Sequence, residues 1–146
     1  MKNEDPVVVE QDFNRSVADV WNALVKINQM RKWYFENIPD FKAELGFCTQ
    51  FMVESGGRNF LHLWEVTEVV PQQKVVYNWK YEGFSGDSFV SFEVSGDERS
   101  AHLIVIFRVV EDFSEDIPEF SRENCIGGWT YFIKDRLKGY LHDNSG

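Results

Sequence analysis

Two carboxylates, Glu65 and Glu68, stand in a stretch from Phe60 to Val70 that is otherwise rich in aromatic and β-branched residues. A carboxylate drawn into apolar surroundings loses hydration, so its pKa rises and it can act as a general acid or base near neutral pH. On a strand, parity decides which side chains turn inward. Here it is open: either Trp64, Val66 and Glu68 or Leu63, Glu65 and Thr67 face the core, and each choice puts one acid inside. The alternative leaves both acids in water at the sheet rim. The remaining ionisable groups offer less. His62, His102 and His142 lack the spacing of metal ligands, and no metal or cofactor is expected. Cys48 and Cys125 belong to no nucleophile–base arrangement. Gly56-Gly57 and Gly83-Phe84-Ser85-Gly86 are turns that open no helix, so neither is a phosphate loop.

The second set is aromatic. Thirteen Phe, five Trp and five Tyr in 146 residues require either an aromatic core or an aromatic-lined cavity. Strand alternation turns Phe51, Val53, Tyr77, Trp79, Val90, Phe92, Leu103, Val105 and Phe107 to one face. Tyr77 and Trp79 each add a polar tip able to orient a ligand. Near the C-terminus, Trp129, Phe132, Ile133, Arg136, Leu137, Tyr140 and Leu141 recur at the three-and-four spacing of a helical face. Gly127 and Gly128 precede that face, and each costs about 1 kcal/mol relative to alanine inside a helix. They mark the helix start, a close backbone approach, or space left for a guest. Arg136 pairs with an inward acid, meets an acidic ligand head group, or snorkels to the surface.

The elements that must position these groups follow from periodicity. Val7 to Phe13 is a first strand, and Ser16 caps a helix carrying Val17, Val20, Trp21, Leu24 and Ile27, with Asp19 as an acidic capping-box partner. A second short helix covers Gln29 to Phe35, where the consecutive rings of Trp33, Tyr34 and Phe35 cannot all point inward. From Phe47 the period becomes two: strands at 47–54, 60–70, 74–81, 87–94 and 101–110 are separated by Gly- and Pro-containing turns. The closing helix begins near Pro118 or near Gly127. Strands bounded by helices indicate an α+β fold with an antiparallel sheet, in one domain spanning 1–146.

The formal net charge of -9 argues against nucleic acid or an anionic membrane as partner. No apolar run approaches the roughly 18 residues that cross a bilayer. With a polar start, Met1 to Asp5, and only two cysteines, the expectation is a cytoplasmic protein with reduced thiols.

The element order, together with Val69-Val70-Pro71-Gln72-Gln73-Lys74-Val75-Val76-Tyr77-Asn78-Trp79 and Gly127-Gly128-Trp129, resembles the activator-of-Hsp90-ATPase-like family. That family lies within the helix-grip superfamily of START domains, Bet v 1-type proteins and polyketide cyclases. The resemblance runs from Val7 to Leu141. It implies a curved seven-stranded antiparallel sheet around a long C-terminal helix, two short helices after the first strand, and an apolar cavity between sheet and helix. Trp33 and Phe35 would then sit at the cavity mouth, and Trp129, Phe132, Ile133 and Arg136 would face the sheet. The leading expectation is a non-enzymatic site for a small apolar or amphipathic molecule. An enzyme of cyclase or hydrolase type using Glu65 or Glu68 is the second. A chaperone-associated interaction through an outer patch including Ile104 and Ile106 is the third, implied by the family name alone. In the Hsp90 activator a separate chaperone-binding domain precedes this one, so the resemblance of this domain alone implies no co-chaperone activity.

Overall fold

The computed structural model describes residues 5–143, so the polar start at Met1–Glu4 lies outside the described residues. The first strand, β1 (Val7–Phe13), leads into α1 (Val17–Val25) and α2 (Ile27–Trp33). Five strands follow: β2 (Cys48–Ser55), β3 (Arg58–Val70), β4 (Lys74–Tyr81), β5 (Asp87–Gly96) and β6 (Ala101–Glu111). They form one antiparallel sheet in the order β1-β6-β5-β4-β3-β2. Among the described residues the sheet has six strands, not the seven expected. Between α2 and β2 the chain carries Pro39, which has no N–H to donate, and a local turn from Glu44 N to the Lys42 carbonyl. It rejoins β3 only at Gly46 and Phe47.

Ser16 caps α1 as expected, accepting from the Asp19 backbone N–H at 3.0 Å. The Asp19 carboxylate does not close a capping box; it bonds Arg15 Nε at 3.1 Å instead. Helix α2 starts and ends two residues earlier than the periodicity suggests. Tyr34 is its C-cap, with φ -104° and ψ -117°, and this departure from helical geometry lets adjacent rings share one side. Trp33 and Tyr34 are both buried and stack with centroids 4.5 Å apart.

The C-terminal helix begins at neither expected place. Pro118–Phe120 is a single 3₁₀ turn, and Ser121 then caps α3 (Arg122–Thr130) by accepting from Asn124 N. The helix continues without a break through a π-helical stretch, Tyr131–Leu137, into α4 (Lys138–Asp143). Trp129, Ile133, Leu137 and Leu141 are its buried residues, each four apart. That spacing over-rotates by about 40° per step on an α-helix of 3.6 residues per turn. The wider i→i+5 turn absorbs part of the drift and keeps the row on the sheet.

The core is one contiguous cluster between the concave face of the sheet and these helices. On β3 the inward row is Phe60, His62, Trp64 and Val66. A register shift between Val66 and Glu68 ends this alternation, so Glu68 turns to solvent although it shares the parity of Trp64. Ile104 and Ile106 lie half-buried on the outer face. Among the described residues no helix is long and apolar enough to cross a membrane.

Candidate functional site

The C-terminal helix does two different things along its length. Its second half fills the concavity of the sheet: Ile133 and Leu137 have no exposed surface. Its first half spans a gap. A cavity of about 410 Å³, open at one end, lies between α3 and strands β2, β3, β4 and β6. The size falls at the lower end of the roughly 300–1,000 Å³ usual for small-molecule sites. Gly128 borders it, and a methyl group built on either Gly127 or Gly128 would meet nothing within 4 Å. The glycine pair therefore lies inside a helix already under way, with open space among the described residues where each Cβ would stand.

Aromatic rings supply most of the wall. Trp129 meets Trp79 edge-on at 5.6 Å, and Phe132 packs on Phe35 at 5.1 Å. At the open end Phe120 stacks on Tyr81 at 4.9 Å and touches Phe60 and Phe113. Phe113 reaches this position because the β4–β5 turn has Gly86, at φ +118°, beneath it. Any Cβ there would lie 2.2 Å from the ring.

The mouth is tied by an ion pair. Arg58, at the start of β3, bonds Glu119 of the 3₁₀ turn at 3.1 Å, and Glu119 also borders the cavity. Asn124 donates to the Pro118 carbonyl at 2.6 Å, fixing the same turn to α3.

His62 is a buried titratable side chain of the wall. Its Nδ1 lies 3.0 Å from the carbonyl oxygen of Phe60, two residues back on the same strand. A carbonyl only accepts, so Nδ1 carries the proton and Nε2 the lone pair. Nε2 has no hydrogen-bond partner among the described residues. Rings of Phe35, Phe51, Trp79 and Tyr81 surround the imidazole at 4.8–5.5 Å. Burial pushes its pKa down to about 4, against the smaller opposing effect of the Phe60 hydrogen bond, so the ring is neutral at pH 7. Burial likewise lifts the Cys125 thiol to about 12, opposed by the Arg122 charge, which keeps it protonated and unreactive. The Tyr81 hydroxyl is raised by burial as well. The Trp79 indole N–H approaches it without closing a hydrogen bond.

Of the residues singled out from sequence, Phe35, Val53, Trp79, Phe107, Trp129 and Phe132 border the cavity. Phe51, Tyr77, Val90, Phe92, Leu103, Val105 and Ile133 are buried core beside it. Tyr77 spends its polar tip on a 3.1 Å contact with the Tyr34 hydroxyl. Trp33 is not at the mouth: it is fully buried and donates Nε1–H to the Ala23 carbonyl at 2.8 Å, joining α2 to α1. Arg136 faces away from the cavity. It donates to the Lys32 carbonyl at 2.9 Å and to the Tyr131 hydroxyl at 3.4 Å, satisfying a backbone acceptor in the last turn of α2.

Glu65 and Glu68 are also outside. Glu65 is on the outer face opposite Asn78, and Glu68 is exposed and 3.4 Å from Lys74 Nζ. Phe60, His62, Tyr81, Phe113 and Phe120 border the cavity without having been read as lining from the sequence, whereas Gly128 had space for a guest as one of its three readings. The parity of His62 with Trp64 was the available signal. Phe113 and Phe120 sit in an irregular segment and gave none.

A six-stranded antiparallel sheet gripping a C-terminal helix, with a cavity beneath that helix, defines the helix-grip class of α+β proteins. Within it, residues 14–142 match the family model "Activator of Hsp90 ATPase homolog 1-like protein", and the chain belongs to that family. A comparison with curated protein sequences finds no match. Among solved structures, protein MLL2253 from Mesorhizobium loti is similar at a TM-score of 0.77 and 23% identity, covering 97% of this chain and 99% of its own. The Aha1 dimer from Colwellia psychrerythraea is similar at 0.71 and 17%, covering 98% and 100%. DynU16, a protein of the dynemicin biosynthetic locus, is similar at 0.74 and 21% over 95% of this chain; the chain spans about half the length of that protein, 48%. At these identities the likeness shows the fold.

Proposed function

We propose that this protein binds a small apolar or amphipathic molecule in the cavity under the first half of its C-terminal helix. The observation that carries the reading is the open space beside Gly128. A helix that packed only to complete a core would gain about 1 kcal/mol from alanine there, and the space would admit it. Leaving the position bare keeps volume under the helix. Ring burial would supply affinity, at roughly 25 cal/mol per Å² of apolar surface. The enclosing side chains are already held by one another, so little ordering would accompany binding.

The disposition of acids favours binding over catalysis. Glu65 and Glu68 face solvent, Glu119 is engaged by Arg58 at the mouth, and His62 is too weakly basic to hold a proton at neutral pH. The dynemicin-locus and Hsp90-activator relatives fit either a ligand-handling or a partner-binding role; the cavity favours the former. Native mass spectrometry of protein purified from its own host tests this. A co-purifying small molecule, absent from a cavity-filling Gly128→Leu variant, is expected. Bare protein in both, with no thermal shift from a panel of neutral lipophiles, would overturn it.

A further inference from the structure

The cavity wall carries one acceptor that nothing among the described residues uses, His62 Nε2, alongside donors on Trp79, Tyr81 and Ser55. His62 presents a lone pair at Nε2, because its other nitrogen is committed to the Phe60 carbonyl. Asn124 gives one amide N–H to the Pro118 carbonyl, and its own carbonyl oxygen is a further acceptor. Glu119 is an acceptor throughout. No lysine or arginine borders the cavity among the described residues. The arginines on flanking elements are engaged: Arg58 with Glu119, and Arg122 with the backbone carbonyls of Asp5 and Pro6. The chain carries a net charge of -9, so its long-range field also repels anions.

An anionic head group, such as a fatty-acid carboxylate, would enter this space without a cation to meet it. Burying an unpaired carboxylate is strongly unfavourable. A neutral hydroxyl or N–H on a flat ring would meet the opposite situation. The rings around His62 offer faces and edges for stacking, and Nε2 waits unpaired among them.

From this geometry we infer that the cavity selects a neutral, flat aromatic molecule bearing one hydrogen-bond donor, a phenol or ring N–H, which donates to Nε2 of His62. This rests on the cavity-binding reading above and narrows it. His62 acts here as an acceptor that orients the guest. Its depressed basicity means that the proton stays on the ligand, so no acid–base step is implied.

The test is a matched set of probes: 2-naphthol, 2-methoxynaphthalene, which lacks the donor, and 2-naphthoate, which is anionic. Titration by isothermal calorimetry at pH 7 is expected to give 2-naphthol binding about 3- to 10-fold tighter than 2-methoxynaphthalene, the range for one net hydrogen bond. Naphthoate should bind weakest. In His62→Leu the first two should become equal within about twofold, with 2-methoxynaphthalene little changed. If that variant does not fold, ¹⁵N spectra of the wild-type imidazole carry the test: Nε2 should shift with 2-naphthol and not with 2-methoxynaphthalene. Equal affinities in the wild type, a preference for naphthoate, or an unmoved Nε2 resonance would overturn the donor selection and leave cavity binding standing. Absence of binding by all three probes would overturn both.

Discussion

Nδ1 of His62 lies 3.0 Å from the carbonyl oxygen of Phe60, so β3 fixes the tautomer of a histidine that looks into the cavity. Burial of that ring, opposed in part by the Phe60 contact, costs the protein stability at low pH. Folding holds the imidazole near pKa 4, whereas the unfolded chain titrates it near the ordinary 6.5. Between these values the unfolded state binds more protons, so stability falls as pH drops from 6.5 toward 4 and this contribution levels off below. Comparing urea unfolding of wild type and His62→Leu at pH 7 and pH 4 isolates the effect from that of the carboxylates. The wild type should lose about 3 kcal/mol more than the variant over that interval.

The Tyr34 and Tyr77 hydroxyls, 3.1 Å apart in the core, satisfy one another. Burial raises both pKa values. Tyr34→Phe leaves a buried hydroxyl without its partner and should cost about 1–2 kcal/mol in urea unfolding. Adding Tyr77→Phe should cost less than the sum of the two single changes, because the second removes the orphaned group.

The same substitution should act with opposite sign at two glycines. Gly128→Ala meets open space inside a helix and should stabilise by about 1 kcal/mol. Gly86→Ala must abandon φ +118° and displace Phe113, so a loss of about 2 kcal/mol or more is expected. Thermal unfolding of both variants checks the pair.

The Arg58–Glu119 bridge is partly exposed and contributes at most about 1 kcal/mol to stability. Its effect should appear instead in kinetics, since it ties the β2–β3 hairpin to the 3₁₀ turn at the mouth. Arg58→Ala should leave Tm nearly unchanged while speeding release of a bound fluorescent lipophile in stopped flow.

How far the sequence reaches is clear from particular residues. The period-two runs place all six strands within a residue or a few, because each strand buries one face against a single core. The seventh strand came from the family resemblance, and Pro39 with the turn at Lys42–Glu44 accounts for its absence. Parity on β3 was open in the sequence: with Trp64 inward, alternation turns Glu65 outward, and the register shift at Val66/Glu68 turns Glu68 outward as well, which no residue count reveals. The mouth position of Trp33 came from the family resemblance; its indole N–H instead found the Ala23 carbonyl, a contact that depends on how α1 and α2 cross. Arg136 lies on the expected helix, but Lys32 offers it an acceptor outside the cavity. Phe113, Glu119 and Phe120 of the cavity wall come from the irregular segment after β6, where no periodicity exists to be read. Gly128 was visible from the start, and its meaning became legible once the space beside it was.

That space is also where the account is most directly tested. N-phenyl-1-naphthylamine, a neutral fluorescent probe, can be titrated into wild type, Gly128→Leu and Gly139→Leu. Gly139 is on the same helix, does not border the cavity, and also has open space beside it. Wild type and Gly139→Leu should bind one probe with similar affinity, and Gly128→Leu should weaken binding by about tenfold or more, as the new side chain occupies the guest's volume. Equal binding by all three proteins, or binding by none, would contradict the cavity as the functional site.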